Sequence, residues 1–322
     1  MSHSPAVRLT ALLTLTIALG CASPTPPTAG GHVHVNGHEM FVDCRGDGDV
    51  TVWMEAGAGA SSLRFRPVQE ILVDDGNADL RVCVSDRAGF GWSAPGPLPR
   101  TPDVLVDDIE VLFDRLDVDG PVVWVGHSLG GLLGRHLQHR QPGRLQALVL
   151  VDSAHEGQWA VFPDAYNQFV EDSLEQMALL PTVATLGLWP AMRPLTPQPP
   201  FPADLLDEHE ATSSSASFFE ASHSEIHGGY HADWDTLGLD DDIGDLPLAV
   251  VSAGRSSHAF AGAVPDGFPH DEADAVWLEL QADLTAMSTT SAQWIVDDAT
   301  HEILLEHPDV IVDAVRWAVD AL

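Results

Sequence analysis

The run Gly126-His127-Ser128-Leu129-Gly130 sets a serine between two glycines, directly after the apolar stretch Val122-Val123-Trp124-Val125 and ahead of a helical pattern at 132–140. A strand that turns sharply into a helix can hold a hydroxyl above a sheet edge, but so cramped a turn leaves no space for side chains beside it, hence glycine. The first helical turn adds free backbone N–H groups and a positive dipole end, where a developing oxyanion is stabilised. The chemistry predicted is nucleophilic attack by Ser128. His127 is expected to point away at such a turn and to be structural. A serine hydroxyl is a weak nucleophile at neutral pH, so one of the 16 histidines must reach it as a base.

Other groupings carry less chemistry. His223, His227 and His231 repeat at four-residue spacing, but Gly228-Gly229 is expected to interrupt a helix there, and no Glu completes H-E-x-x-H. No metal is predicted. His32, His34 and His38 are expected to decorate an edge strand. Asp240-Asp241-Asp242 and Asp297-Asp298 read as solvated acidic loops, since their spacing does not match a calcium loop.

The elements that must position Ser128 alternate in type. Short apolar runs bounded by Gly, Asp or Pro occur at 40–44, 50–54, 80–84, 122–125, 145–151, 246–251 and 294–296, as buried parallel strands do. Helical spacing is clearest at Val104, Leu105, Ile109, Leu112, Phe113 and Leu116, and again from Val310 to Leu322. The expected class is α/β with a mostly parallel central sheet flanked by helices. Residues 155–244 break the rhythm: they are rich in aromatics, bend through a Pro-rich stretch and lack an obvious strand. They are expected to form an inserted, mainly helical lid, with the core at 32–154 and 245–322.

Composition narrows the partners. The 322 residues hold 48 Asp and Glu against 14 basic residues, all Arg, for a formal charge of −34. Scattered arginines in a negative field cannot neutralise a row of phosphates, so nucleic acid is excluded, and neutral or cationic small molecules are favoured over anions. No stretch after residue 20 offers a membrane span. Arg8 and the apolar run that follows it read as a signal peptide over 1–20. Its end, Gly20-Cys21, followed by a Pro/Thr/Ser/Gly-rich tether at 21–31, resembles a bacterial lipoprotein signal. That resemblance implies export, lipidation of Cys21 and membrane contact only through that anchor; plain secretion is the alternative.

Several segments together resemble the capped α/β-hydrolases, in particular bacterial secreted or lipid-anchored esterase-like enzymes, over residues 38–160 and 245–320. They are Cys44-Arg45-Gly46-Asp47-Gly48, the stretch from Val52 to Gly59 ending in Gly57-Ala58-Gly59, Asp86-Arg87-Ala88-Gly89-Phe90-Gly91-Trp92-Ser93, Gly126 to Gly131, Leu148 to His155, and Thr300-His301. The resemblance implies that His301, after the last strand, is the base, with His258, His270 and His307 as weaker candidates. It places the orienting acid either after the strand at 246–251, where no carboxylate occurs until Asp266 and Asp271, or at Asp152, directly after Val151. It supplies oxyanion donors from the backbone of Ala58 and Leu129. The strand order it implies makes the strands of Cys44 and Cys83 neighbours, which predicts a disulfide between them. The expected activity is hydrolysis of a neutral carboxylic ester by an acyl-enzyme route without a cofactor. A serine at the turn argues against dehalogenase or epoxide hydrolase chemistry, where this fold uses Asp. An aminopeptidase or lactonase of the same fold, and a catalytically silent binding protein on the scaffold, are the competing readings.

Overall fold

The computed structural model describes residues 30–74, 79–196, 199–232, 234–237, 239 and 242–322. The segment read as a signal peptide, Cys21, most of the expected tether, Asp240 and Asp241 lie outside the described residues. Eight strands form one sheet in the order β1-β2-β4-β3-β5-β6-β7-β8. They are β1 (Gly31–Val35), β2 (His38–Arg45), β3 (Val50–Glu55), β4 (Leu80–Ser85), β5 (Val122–His127), β6 (Ala147–Val151), β7 (Leu248–Ala253) and β8 (Ser291–Val296). β1 and β2 run antiparallel to their neighbours and every other pairing is parallel.

The apolar runs look continuous in sequence because both faces are covered, yet within each the residues divide by the period of two. Val52, Met54, Val123, Val125, Val149 and Val151 face one core, with helices α1 (Arg66–Asp74) and α13 (Pro308–Asp320). Trp53, Val122, Trp124, Leu148 and Leu150 face the other, with α2 (Pro102–Arg115), α3 (Leu129–Arg140) and the end of α11 (His270–Ala286). α2 starts where the sequence marks a start: the Thr101 hydroxyl accepts from the Val104 N–H and Pro102 follows. α12 (Ile303–Glu306) is a single turn before α13.

β1, absent from the apolar runs, is the edge strand that carries His32 and His34. Its alternation of histidine with glycine and valine hides it from a search for apolar segments. His38 departs from that edge setting: it is buried on β2, 3.4 Å from the Asp108 carboxylate.

Between β6 and β7 the chain is helical: α4 (Gln158–Val161), α5 (Asp164–Met177), α6 (Leu180–Thr185), α7 (Trp189–Met192), α8 (Ala203–Thr212), α9 (Ala216–His231) and α10 (Trp234–Leu237). The expected break at Gly228-Gly229 does not occur, and α9 continues to His231. A Cβ at Gly228 would lie 2.9 Å from the Arg100 carbonyl oxygen, so this glycine lets the helix approach a loop. His223, His227 and His231 therefore share one helix, with adjacent ring centroids 5.9 and 4.3 Å apart.

Candidate active site

Ser128 sits between β5 and α3 with φ 51° and ψ −120°, a strained backbone for a residue with a side chain. Three bonds hold it there. Its N–H donates to the Val151 carbonyl at 3.1 Å, and its own carbonyl accepts from Gly131 and Ala154 at 3.0 and 3.1 Å. The glycines answer to contact. A Cβ at Gly126 would stand 2.3 Å from the Gly130 carbonyl oxygen, and one at Gly57 would meet Ser128 Cβ at 3.0 Å. The loop after β3 is thereby brought against the turn. Leu129 opens α3, so its N–H has no partner one turn back in the helix.

Asp152 ends β6, also at positive φ (41°), and is wholly buried. Its carboxylate accepts four hydrogen bonds. One oxygen takes the Ala253 N–H at 2.9 Å and the Trp277 indole N–H at 2.7 Å; the other takes the Ser256 hydroxyl at 2.6 Å and His301 Nδ1 at 2.7 Å. Such a set satisfies an ionised, acceptor-only carboxylate and defines the His301 tautomer, with Nδ1 carrying the proton and Nε2 free to accept one. The Trp277 ring lies edge-on to His301 at 6.1 Å.

Ser128 and His301 line one cavity of about 380 Å³ together with Gly57, Ala58 and Leu129. No hydrogen bond joins the Ser128 hydroxyl to the imidazole among the described residues; in unliganded enzymes such contacts are often long and tighten with substrate. Much of the remaining wall comes from the insert, including the aromatic Trp159, Phe162, Tyr166, Phe169 and Tyr230, and the charged Arg64, Glu225 and Glu302 also line the cavity. Burial pushes the Tyr166 phenol above its ordinary range, keeping it neutral in this wall.

A family described as alpha/beta hydrolase fold matches residues 52–190, from β3 through the turn at Ser128 into the insert. The chain has the α/β-hydrolase fold. It is 23% identical over 267 residues to the uncharacterised protein YqjL of Bacillus subtilis strain 168, covering 83% of this chain and 82% of that one. Its fold is shared by a thermophilic esterase from Thermogutta terrifontis at TM-score 0.61 and 18% identity, covering 91% of this chain and 98% of the other. A haloalkane dehalogenase, DbeA of Bradyrhizobium elkani USDA94, superposes at TM-score 0.69 with 16% identity, over 91% and 98% of the two chains.

Within this fold the other sequence candidates lie elsewhere. Asp266 and Asp271 are exposed and outside the cavity lining. His258 lies 3.5 Å from the Asp274 carboxylate and stacks on His270, while His307 lies 3.6 Å from Asp298. The described residues contain no group of three or more His, Cys, Asp or Glu arranged to hold a metal. Cys44 and Cys83, directly opposite in the β2–β4 pair, are joined in a disulfide.

His127 differs from its expected orientation. Its ring is buried 4.6 Å from that of His301, lines the cavity, and its Nε2 contacts the His301 carbonyl oxygen at 2.9 Å. Burial first, then the neighbouring His301 and Arg64, lowers its pKa well below the ordinary value, so it stays neutral and donates that bond. The ring fits because Gly57 has no side chain: a Cβ there would be 3.1 Å from His127 Nδ1.

Two supporting residues had no signal that sequence reasoning used. Ser256 follows β7, where the family resemblance implies a carboxylate, and Trp277 lies on α11 far from any motif.

Proposed function

We propose that the chain is a serine hydrolase that cleaves neutral carboxylic esters through an acyl-enzyme on Ser128. The observation that carries this reading is the 2.7 Å bond from His301 Nδ1 to a buried, four-bonded Asp152, in a site whose cavity also holds Ser128. His301 Nε2 takes the Ser128 proton as Oγ attacks the ester carbonyl carbon, and Asp152 stabilises the imidazolium that forms. The tetrahedral oxyanion is met by the Ala58 and Leu129 N–H groups. Collapse expels the alcohol, which leaves with the proton held by His301. Water, deprotonated by the same nitrogen, then attacks the acyl-enzyme, and a second collapse releases the acid and restores Ser128.

The choice of ester substrate is supported by the apolar, aromatic wall, which desolvates an acyl chain, and by the strongly negative chain, which disfavours anions. The thermophilic esterase of the same fold supports the reaction class. The test is labelling of the purified protein with a fluorophosphonate, followed by peptide mass spectrometry and a p-nitrophenyl ester series from acetate to octanoate. A single adduct on Ser128 with turnover on the shorter esters is expected. An unlabelled Ser128, in protein shown to be folded, would overturn the reading.

A further inference from the structure

Arg87, on the loop after β4, is buried, and each of its five guanidinium N–H groups has an acceptor. Nε and Nη2 grip the two Glu225 oxygens at 2.8 and 2.7 Å; Nη1 reaches Glu55 at 2.7 Å and the Ala56 carbonyl at 2.8 Å; Nη2 also reaches the Gly57 carbonyl at 2.7 Å. Glu225 belongs to α9 of the insert, and its carboxylate also takes the Gly59 N–H at 3.4 Å. One cation therefore ties together the end of β3, the loop at 56–59 and a helix of the insert.

The Gly57 carbonyl belongs to the same planar unit as the Ala58 N–H. In a trans peptide the two point in opposite directions, so an anchor on the oxygen dictates where the hydrogen aims. Arg87, which does not itself line the cavity, holds that oxygen, while Ala58 does line it. We infer that Arg87 is a positioning residue for the Ala58 oxyanion donor, and that Glu225 makes this donor depend on the docking of α9. This rests on the reading of Ser128 as the nucleophile. Binding of the insert to the core and assembly of the oxyanion site become one event, because a displaced α9 takes with it the bidentate partner of Arg87 and the acceptor of Gly59.

The neighbouring carboxylates hold the charge on Arg87. Burial works against the Arg87 cation, but Glu225 and then Glu55 outweigh it and hold the guanidinium above its ordinary pKa. Burial raises Glu55 above the usual carboxylate range, opposed by Arg87.

The test uses Glu225→Ala and Glu225→Gln in the full chain, with p-nitrophenyl butyrate kinetics, inhibition by butaneboronic acid, fluorophosphonate labelling and circular dichroism. A boronic acid forms a tetrahedral adduct on the serine and reports the oxyanion site. Removing an oxyanion donor costs about 10²–10³ in kcat; a donor left in place but loosely aimed is expected to cost about 10–100-fold in Glu225→Ala and less in Glu225→Gln. KM should change by less than about threefold, and boronate affinity should fall in parallel with kcat. Glu225→Gln keeps the side-chain shape and carries the same comparison if Glu225→Ala does not fold.

Folded variants that label at Ser128 and retain kcat within about twofold overturn the clamp and leave the hydrolase reading intact. A loss confined to KM also overturns it, since Glu225 would then be only a wall of the cavity. Wild-type protein that neither labels nor turns over would overturn the hydrolase reading, and the clamp's catalytic role with it.

Discussion

The parallel strands β5, β6 and β7 bury every residue, whereas α6 and α7 in the insert bury none. Leu179, Leu186 and Leu195 expose 66%, 66% and 84% of their surface. The sheet and the insert meet at one cavity, which α4, α5, α9 and α10 reach from the insert, but they contribute different things. The sheet ends supply groups whose positions must hold to fractions of an ångström: Ser128 and Asp152 both sit at positive φ at the ends of buried strands. Apart from the Glu225 anchor, the insert supplies mainly apolar surface, where many side chains of similar size would serve. Chemistry is thus placed where neighbouring strands over-determine the backbone, and selectivity where substitution is tolerated.

That contrast predicts a graded set of outcomes. The largest effects belong to the strand ends. Ser128→Ala and His301→Ala are each expected to lower kcat by at least about 10⁴-fold with the fold retained, because each removes one member of a single proton-transfer unit. Asp152→Asn should cost on the order of 10³–10⁴, since the neutral amide no longer stabilises an imidazolium or selects its tautomer. Asp266→Asn and Asp271→Asn should stay within about twofold of wild type under the same assay. Steady-state kinetics on one ester decides it, and equal losses at Asp152 and Asp266 would move the acid to the later loop.

A smaller effect is expected in the insert. Phe169 on α5 lines the cavity and packs near Phe260 and Phe268, at 5.9 Å between centroids in each case. Phe169→Ala should leave kcat for the acetate ester within about threefold but shift the preferred acyl chain longer, changing kcat/KM ratios along the series by about 3–10-fold, the worth of one or two buried methylenes. A uniform drop for all chain lengths would instead mean that α5 supports the catalytic groups, and the division between the two regions would fail.

The same division explains what the sequence reveals. Ser128 is legible because a nucleophile turn needs glycines at 126 and 130, and the strands are legible because a sheet covered on both faces needs unbroken apolar runs. The four-bond cradle of Asp152 is not. Ser256 and Trp277 reach it from β7's loop and α11, contacts 104 and 125 residues away in the chain. No acid closely follows Gly254; that place holds Ser256, whose hydroxyl donates to Asp152. Arg87 stands in a recognisable motif, but its partner Glu225 lies 138 residues on, in the insert, where no motif marks it. The glycine pair at 228–229 misleads for a physical reason: glycine can serve close packing as well as helix termination.

The smallest effect on turnover is expected from the disulfide. Cys44 and Cys83 face each other across the antiparallel β2–β4 pair, and neither lines the cavity. Replacing both with alanine should therefore leave kcat within about twofold. Stability should respond differently from activity. The bridge spans 39 residues, and closing a loop of that length in the unfolded chain corresponds to about 3–4 kcal/mol in the chain-entropy account. β3 lies inside that loop in sequence and pairs with β4 in space, so the cross-link ties β2 to the strand that joins it to the rest of the sheet. Urea denaturation of protein from an oxidising compartment, where disulfides persist, should show a lower midpoint for the double alanine variant with an unchanged slope. Reduction of the wild type should reproduce that shift. If alkylation and non-reducing mass spectrometry found two free thiols in folded wild-type protein, the pairing would be wrong. Equal midpoints for bridged and alanine proteins would instead show that the β2–β4 ladder alone secures this edge of the sheet.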